Sequence, residues 1–248
     1  MRIRTFNAIP KIIHYCWFGR SPKPKQVMDC INSWTQHNPG YTIIEWNEEN
    51  APNHPIVTQN LRKKLWAFAS DYVRLFAVES FGGFYLDTDI FLVKSLDSLL
   101  EHTCFVAFQY PQKNEYWITN GAIGAIKNHD FFKECIAMLE KHGHTKLTPY
   151  ISPKLTTDIL NLRKNNIEYG TQQIGDITVF DASYFYFYQG EDLNVGLEVL
   201  VQNLPEHSFG IHLYLGSWLN NARNMNFLEK MLLLIRKIKT KISLIYKF

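Results

Sequence analysis

The sequence predicts an α/β domain in which a largely parallel sheet carries helices on both faces. Three observations predict it. Short apolar runs rich in β-branched and aromatic residues alternate with longer helical patterns along most of the chain, and such alternation builds parallel sheets. Cap and turn residues separate the runs, and no internal repeat or low-complexity linker intervenes. The bulk composition is that of an ordinary globular chain: 248 residues, 46% hydrophobic and 20% charged, the size of one α/β domain or two small ones.

The elements follow in order. KIIHYCWF (11–18) reads as a buried strand, being continuous, apolar and short. KPKQVMDCINSWTQH (23–37) reads as a helix that stops at Asn38-Pro39-Gly40. YTIIEW (41–46) is a second strand. QNLRKKLWAFASDYVRLFAVESFGG (59–83) predicts one long helix with a glycine terminator. FYLDTDIFLV (84–93) is a strand interrupted by its carboxylates, and CFVAFQY (104–110) and ITNGAIGAI (118–126) are further strands. HDFFKECIAMLEKHG (129–143) predicts a helix closed by Gly143, and SPKLTTDILNLRKNN (152–166) one with Pro153 in its first turn. DITVF (176–180) and YFYFY (184–188) are short strand candidates. The economical division is a catalytic-sized domain over 1–226 and a tail over 227–248.

Composition excludes several classes. The four cysteines, Cys16, Cys30, Cys104 and Cys135, form no CxxC pair, which argues against a zinc or redox motif and for free thiols in a reducing cytosol. Pro10 and Lys11 interrupt the N-terminus before any signal-peptide core, and no apolar run approaches membrane-spanning length. The net charge of +3 hides an asymmetry: from Lys230 to Phe248 there are six basic residues, Lys230, Arg236, Lys237, Lys239, Lys241 and Lys247, and no acidic one. Removing these six from 26 basic residues leaves 20 against 23 acidic ones, so the remainder carries −3. Met231, Leu234, Ile235, Ile238, Ile242 and Ile245 recur there at helical spacing. A basic amphipathic helix of this kind either lies on an anionic membrane surface or caps the body with its charged face in water. The expectation is a cytoplasmic protein, peripheral on the inner face of the plasma membrane if the tail binds lipid, with no nucleic-acid partner.

The chemistry concentrates in FGGFYLDTDI (81–90), where an apolar strand delivers Asp87 and Asp89 one residue apart. In extended chain, residues i and i+2 share a face. Converging carboxylates repel unless a cation sits with them, and oxygen-rich sites suit Mg²⁺ or Mn²⁺ bound jointly with substrate phosphates. Ligands of open α/β sheets bind beyond the carboxyl ends of strands. Taken alone, Asp-x-Asp is a weak signal whose plain alternative is a polar turn. It is not alone. Ser70, Asp71 and Arg74 interrupt an otherwise apolar helix, where charge is costly unless paired or used. Either they form an internal ion pair or they present a carboxylate and a guanidinium to a hydroxyl-rich ligand.

IPKIIHYCWFG, FASDYVRLFAVESFGGFYLDTDI, ITNGAIGA and GIHLYLGSW together resemble the sugar-binding-region glycosyltransferases with the DXD motif, glycosyltransferase family 32. That family includes bacterial capsular and lipopolysaccharide enzymes and yeast mannosyltransferases, with the clostridial glucosylating toxin domains more distant. The resemblance runs in order from about Ile9 to Trp218. It implies a GT-A fold (a Rossmann-like mixed sheet flanked by helices), a nucleotide-sugar donor that is UDP-linked, Mn²⁺ or Mg²⁺, and retention of anomeric configuration. It implies that Trp17 stacks on the base and that Ser70, Asp71 and Arg74 hold the donor sugar. Asp87 reaches ribose or metal, Asp89 ligates the metal, and Tyr85 lines the cleft. His212 completes the metal shell, Ser217 and Trp218 contact the diphosphate, and Asn120 faces the transferred sugar or the acceptor. Where many relatives have Gly-Pro, this chain has Ser152-Pro153. The implied reaction moves a hexose or N-acetylhexosamine to a saccharide or lipid-linked saccharide in surface polysaccharide synthesis. The rivals are a non-catalytic nucleotide-sugar or saccharide binding protein and a metal-dependent nucleotide phosphohydrolase, though no Walker A segment is present.

Overall fold

The first strand, β1 (Ile12–Cys16), is followed by helix α1 (Lys25–His37) and strand β2 (Thr42–Trp46). The two strands pair in parallel from Ile12 opposite Thr42 to Cys16 opposite Trp46, as a helical crossover demands. The computed structural model describes residues 8–111, 116–143, 152–188 and 196–215. Helices α2 (Pro55–Arg62) and α3 (Trp66–Phe81) lead to strands β3 (Gly83–Leu86) and β4 (Ile90–Leu92). Strands β5 (Cys104–Phe108) and β6 (Ile118–Ala125) precede helices α4 (Asp130–His142) and α5 (Ser152–Arg163). Strands β7 (Gln172–Ile174) and β8 (Ile177–Phe180), helix α6 (Leu197–Gln202) and strand β9 (Gly210–His212) complete the described elements.

The main sheet has the order β2-β1-β3-β6-β5-β8-β7, and β4 pairs separately with β9. The predicted parallel pairs are present as β1–β2, β1–β3 and β5–β8. Strand β6 inserts antiparallel to both β3 and β5, and β7 is antiparallel to β8. The sheet is therefore mixed. These directions bring the carboxyl ends of β1, β3, β5 and β8 and the start of β6 to one edge.

Side chains alternate between two cores. Tyr85, Val106 and Phe108 face α3, α4 and α5, with Val73, Leu75, Phe131 and Leu155. Phe84, Leu86, Phe105 and Ala107 face the other way, with Trp34 of α1 and Ile90 and Leu92 of β4. Period-2 burial on both faces is the signature of a covered central strand.

Two expectations are corrected. The predicted long helix is two: Lys64 takes a left-handed backbone at φ 56°, and α3 restarts at Trp66. YFYFY forms no strand. A 3₁₀ turn over Ala182–Tyr184 occupies its start, capped by the Asp181 carboxylate accepting from the Ser183 N–H at 2.8 Å. Phe185 and Tyr186 are then buried outside any strand, with the Phe185 carbonyl accepting from the His212 N–H at 2.8 Å. Among the described residues no helix is long and apolar enough to cross a membrane, and all four cysteines are free and buried. The predicted tail, 227–248, lies outside the described residues.

Candidate active site

The turn from α3 into β3 sets the position of the carboxylates. Gly82 and Gly83 have φ of +69° and +99°, values that glycine adopts without penalty. A Cβ on Gly83 would also meet the Ile12 carbonyl oxygen at 2.6 Å, so β3 lies against β1 only because that position is bare. Strand β3 then delivers Asp87 to the carboxyl edge, where its N–H donates to the Gly121 carbonyl at 2.7 Å.

Asp89 follows after a turn closed by the Ile90 N–H donating to the Asp87 carbonyl at 2.9 Å. Helix α1 braces the strand beyond it: Trp34 Nε1 donates to the Ile90 carbonyl at 2.7 Å, and Ser33 Oγ accepts from the Leu92 N–H at 2.9 Å. Strand β9 sets the last corner, with His212 in register with Ile90. The Leu213 N–H donates to the Asp89 carbonyl at 2.8 Å, and His212 Nε2 lies 3.2 Å from Asp89 Oδ1.

Asp87, Asp89 and His212 each offer one ligating atom within 4.8 Å of the others. Metal–ligand bonds of about 2.1 Å put cis ligands of an octahedral ion about 3 Å apart and trans ligands about 4.2 Å apart. The 3.2 Å separation of His212 Nε2 and Asp89 Oδ1 is short enough for both side chains to hold one such ion. Two hard oxygens and one imidazole suit Mn²⁺ or Mg²⁺ better than a soft ion. His212 Nδ1 accepts from the Tyr214 N–H at 3.3 Å, which leaves the ring proton on Nε2, facing Asp89. As a metal ligand His212 would serve as a neutral imidazole.

Arg74 is the electrostatic centre. It is 7% exposed and lies over the Tyr85 ring, its Cζ 4.9 Å from the centroid. Nη2 pairs with Asp71 Oδ1 and Nη1 with Asp87 Oδ1, both at 3.3 Å. Nη1 also reaches the Asn120 carbonyl at 3.2 Å and Asn120 Oδ1 at 3.1 Å, and Nε donates to the Ser70 carbonyl at 3.3 Å. One guanidinium thus joins α3, the end of β3 and the start of β6. The sequence offered two readings of Asp71 and Arg74; the structure shows an ion pair that extends to Asp87.

Protonation follows from these contacts. Burial raises the Asp87 carboxyl above its ordinary value, and the neighbouring Asp89 adds to it, against the opposing pull of Arg74. His212 is raised although burial opposes it, because Asp89 sits beside the ring. Burial pushes the Tyr85 hydroxyl well up, so it stays protonated and donates to Asp87 Oδ1 at 3.2 Å.

The remaining predicted residues divide. Ser70 is held within α3, its hydroxyl donating to the Trp66 carbonyl at 3.0 Å. Trp17 sits at the carboxyl end of β1, half-buried, with Nε1 donating to the Ser21 carbonyl at 2.7 Å and Lys23 Nζ 5.8 Å from its ring. Asn120 is 1% exposed. Its Oδ1 accepts from Arg74 and from the Ser152 hydroxyl, so Ser152, which precedes Pro153, anchors this amide. Ser217 and Trp218 lie outside the described residues. Sequence reasoning missed Ser33, Trp34 and Tyr186. Only the aromatic run after DITVF hinted at the last.

Residues 24–106 match the model of a family described as "Glycosyltransferase sugar-binding region containing DXD motif". The chain is 27% identical over 205 residues to inositol phosphoceramide mannosyltransferase 2 of Schizosaccharomyces pombe, covering 74% of this chain and 57% of that protein. It is 29% identical over 161 residues to inositol phosphoceramide mannosyltransferase 3 of the same yeast, covering 62% and 44%. The chain therefore spans about half the length of these relatives. Among solved structures, the PaToxG glycosyltransferase superposes with a TM-score of 0.55 at 17% identity, over 64% of this chain and 71% of that one. At that identity the likeness shows the fold, a GT-A α/β architecture. The family match over residues 24–106 takes in Asp71, Arg74, Asp87 and Asp89.

Proposed function

We propose that the protein is a divalent-metal-dependent glycosyltransferase that moves a hexose or N-acetylhexosamine from a nucleotide sugar to a hydroxyl acceptor with retention of configuration. The observation that carries this is the convergence of Asp87, Asp89 and His212 beside the Asp71–Arg74 pair at the carboxyl edge of the sheet. A non-catalytic sugar-binding module has no need of such a cation corner, and a phosphohydrolase none of an Asp71–Arg74–Asn120 assembly.

Asp89 and Asp87 would hold the cation, with His212 as third ligand. Bound there, a divalent cation supplies Lewis-acid neutralisation of the charge that builds on a departing diphosphate. The chain's own residues do the rest. Arg74 fixes Asp71, Asp87 and Asn120 in one geometry, and Asp71, with its side chain 15% exposed, accepts hydroxyls of the donor sugar. Trp17 stacks on the base, a contact that contributes about 1–3 kcal/mol per base in nucleic-acid complexes. The carboxylates of Asp71 and Asp87 are engaged by Arg74, and that of Asp89 faces His212. None is left poised as a covalent nucleophile, which supports front-side attack by the acceptor hydroxyl on the face of the leaving group.

The donor is a UDP-sugar in this reading. The acceptor is a saccharide or lipid-linked saccharide of the cell surface, placed at the membrane by the basic tail. The relatives' names favour a second acceptor, inositol phosphoceramide. The test is donor hydrolysis and transfer over a panel of UDP- and GDP-sugars, with and without Mn²⁺, offered saccharide and inositol-phospholipid acceptors. Metal-dependent turnover of one donor is expected; no turnover and no thermal shift with any nucleotide sugar would refute the proposal.

A further inference from the structure

Two buried polar atoms at this site have no hydrogen-bond partner among the described residues: Asn120 Nδ2 and the Tyr186 hydroxyl. An unsatisfied buried polar group carries a desolvation cost, so each such group in a folded protein calls for an explanation. Flipping the amide does not relieve Asn120, because its oxygen faces the Arg74 guanidinium and a flip would set NH₂ against a cation.

Tyr186 is 2% exposed. Its ring lies beside His212, centroids 5.4 Å apart. Its hydroxyl and Asp87 Oδ2 both approach Gly121, at 3.0 Å and 2.5 Å from the point where a Cβ would stand. The Thr119 hydroxyl lies close enough to pull the phenol's pKa down against burial, but outside hydrogen-bond geometry. Burial holds the phenol well above its ordinary pKa, so it is a neutral group able both to donate and to accept. The bare Gly121 keeps the space between this hydroxyl and Asp87 open.

We propose that Tyr186 is a specificity-determining residue: its hydroxyl, with Asn120 Nδ2, hydrogen-bonds a hydroxyl of the sugar carried by the nucleotide donor. The inference rests on the function proposed above. A sugar hydroxyl both donates and accepts, which matches an amide N–H on one side and a phenol on the other. A pocket built to bond a hydroxyl rejects ligands that lack or misplace it, because its polar groups are then left unpaired.

Tyr186→Phe keeps the ring and removes one oxygen. Binding and melting would be measured for both proteins with Mn²⁺ plus UDP-glucose, UDP-galactose, UDP-N-acetylglucosamine, UDP-N-acetylgalactosamine or GDP-mannose, and with Mn²⁺ plus UDP or GDP alone. Since the hydroxyl has no partner among the described residues, the variant should melt at or above the wild-type temperature without ligand. For the sugar nucleotide that wild type binds, its Kd should rise about tenfold, while that for the bare nucleoside diphosphate stays unchanged. A variant that melts well below wild type assigns the hydroxyl a structural role and overturns the inference. Equal weakening of the bare diphosphate, or no weakening of either ligand, also overturns it. If wild type binds none of these ligands, the glycosyltransferase reading itself falls, and the inference with it.

Discussion

Replacing Arg74 by methionine keeps much of its length and removes its charge. In the native protein Arg74 stands 3.3 Å from both Asp71 and Asp87 and feeds two Asn120 oxygens. Removing one partner from a buried ion pair costs about 3–5 kcal/mol, because the remaining charge stays buried without compensation. Asp87 would keep the Tyr85 hydroxyl but face Asp89 with no cation of its own. The loss should depend on pH. Asp87 is already raised by burial, with Arg74 the principal group opposing it. Without Arg74 it rises further, so the folded state of the variant binds a proton that the unfolded state releases above pH of about 4. Stability of Arg74→Met should then fall as pH rises, and the deficit relative to wild type should be larger at pH 8 than at pH 5. Urea unfolding at the two pH values measures this. Adding Asp87→Asn should recover part of the loss at pH 8. A deficit under about 1 kcal/mol that ignores pH would show that the carboxylates do not depend on this cation, and the electrostatic picture of the site would be wrong.

Other predictions follow from single contacts. Gly121→Ala places a methyl 2.5 Å from Asp87 Oδ2; it should cost about 1–3 kcal/mol in stability as an overpacked site and strongly reduce metal-dependent turnover, read by urea titration and donor hydrolysis. His14 is fully buried, its Nε2 donating to the Gly82 carbonyl at 2.9 Å, and burial lowers its pKa from 6.5 to about 4. Between these values the unfolded chain takes up a proton that the folded one refuses, so His14 should make stability fall as pH drops from 6.5 to 4. His14→Gln should flatten that dependence by about 1.4 kcal/mol per pH unit. Identical slopes for the two proteins would refute the assignment.

Much of the fold was legible because local signals and packing agree. Helix α1 ends beside Asn38-Pro39-Gly40, and β1, β2, β5 and β6 coincide with continuous apolar runs. The break between α2 and α3 was not legible: Arg62-Lys63-Lys64-Leu65 contains only good helix formers, yet the left-handed Lys64 closes α2, its N–H donating to the Leu61 carbonyl and that of Leu65 to the Asn60 carbonyl, a cap usually built on glycine. YFYFY alternates like a strand, but a strand needs a neighbour, and the Asp181–Ser183 cap was the overlooked signal. The antiparallel insertion of β6 cannot be read from alternation alone, because it depends on which strands meet. Asp71, Arg74, Asp87 and Asp89 were visible as charges in apolar surroundings. Tyr186 was not, since an aromatic residue in an aromatic run announces only a core, and its hydroxyl stands out only beside Gly121 and Asp87.

Mn²⁺ binding followed by electron paramagnetic resonance, in the presence of the nucleotide sugar that the enzyme turns over, tests the central claim most directly. For wild type and Asp89→Asn at equal protein concentration, the account predicts that wild type holds Mn²⁺ jointly with the donor and that the variant weakens it by at least about tenfold while melting at a similar temperature. Mn²⁺ bound equally well by both proteins would contradict it, and the carboxylate pair at the end of β3 would then be a polar turn and not a cation site.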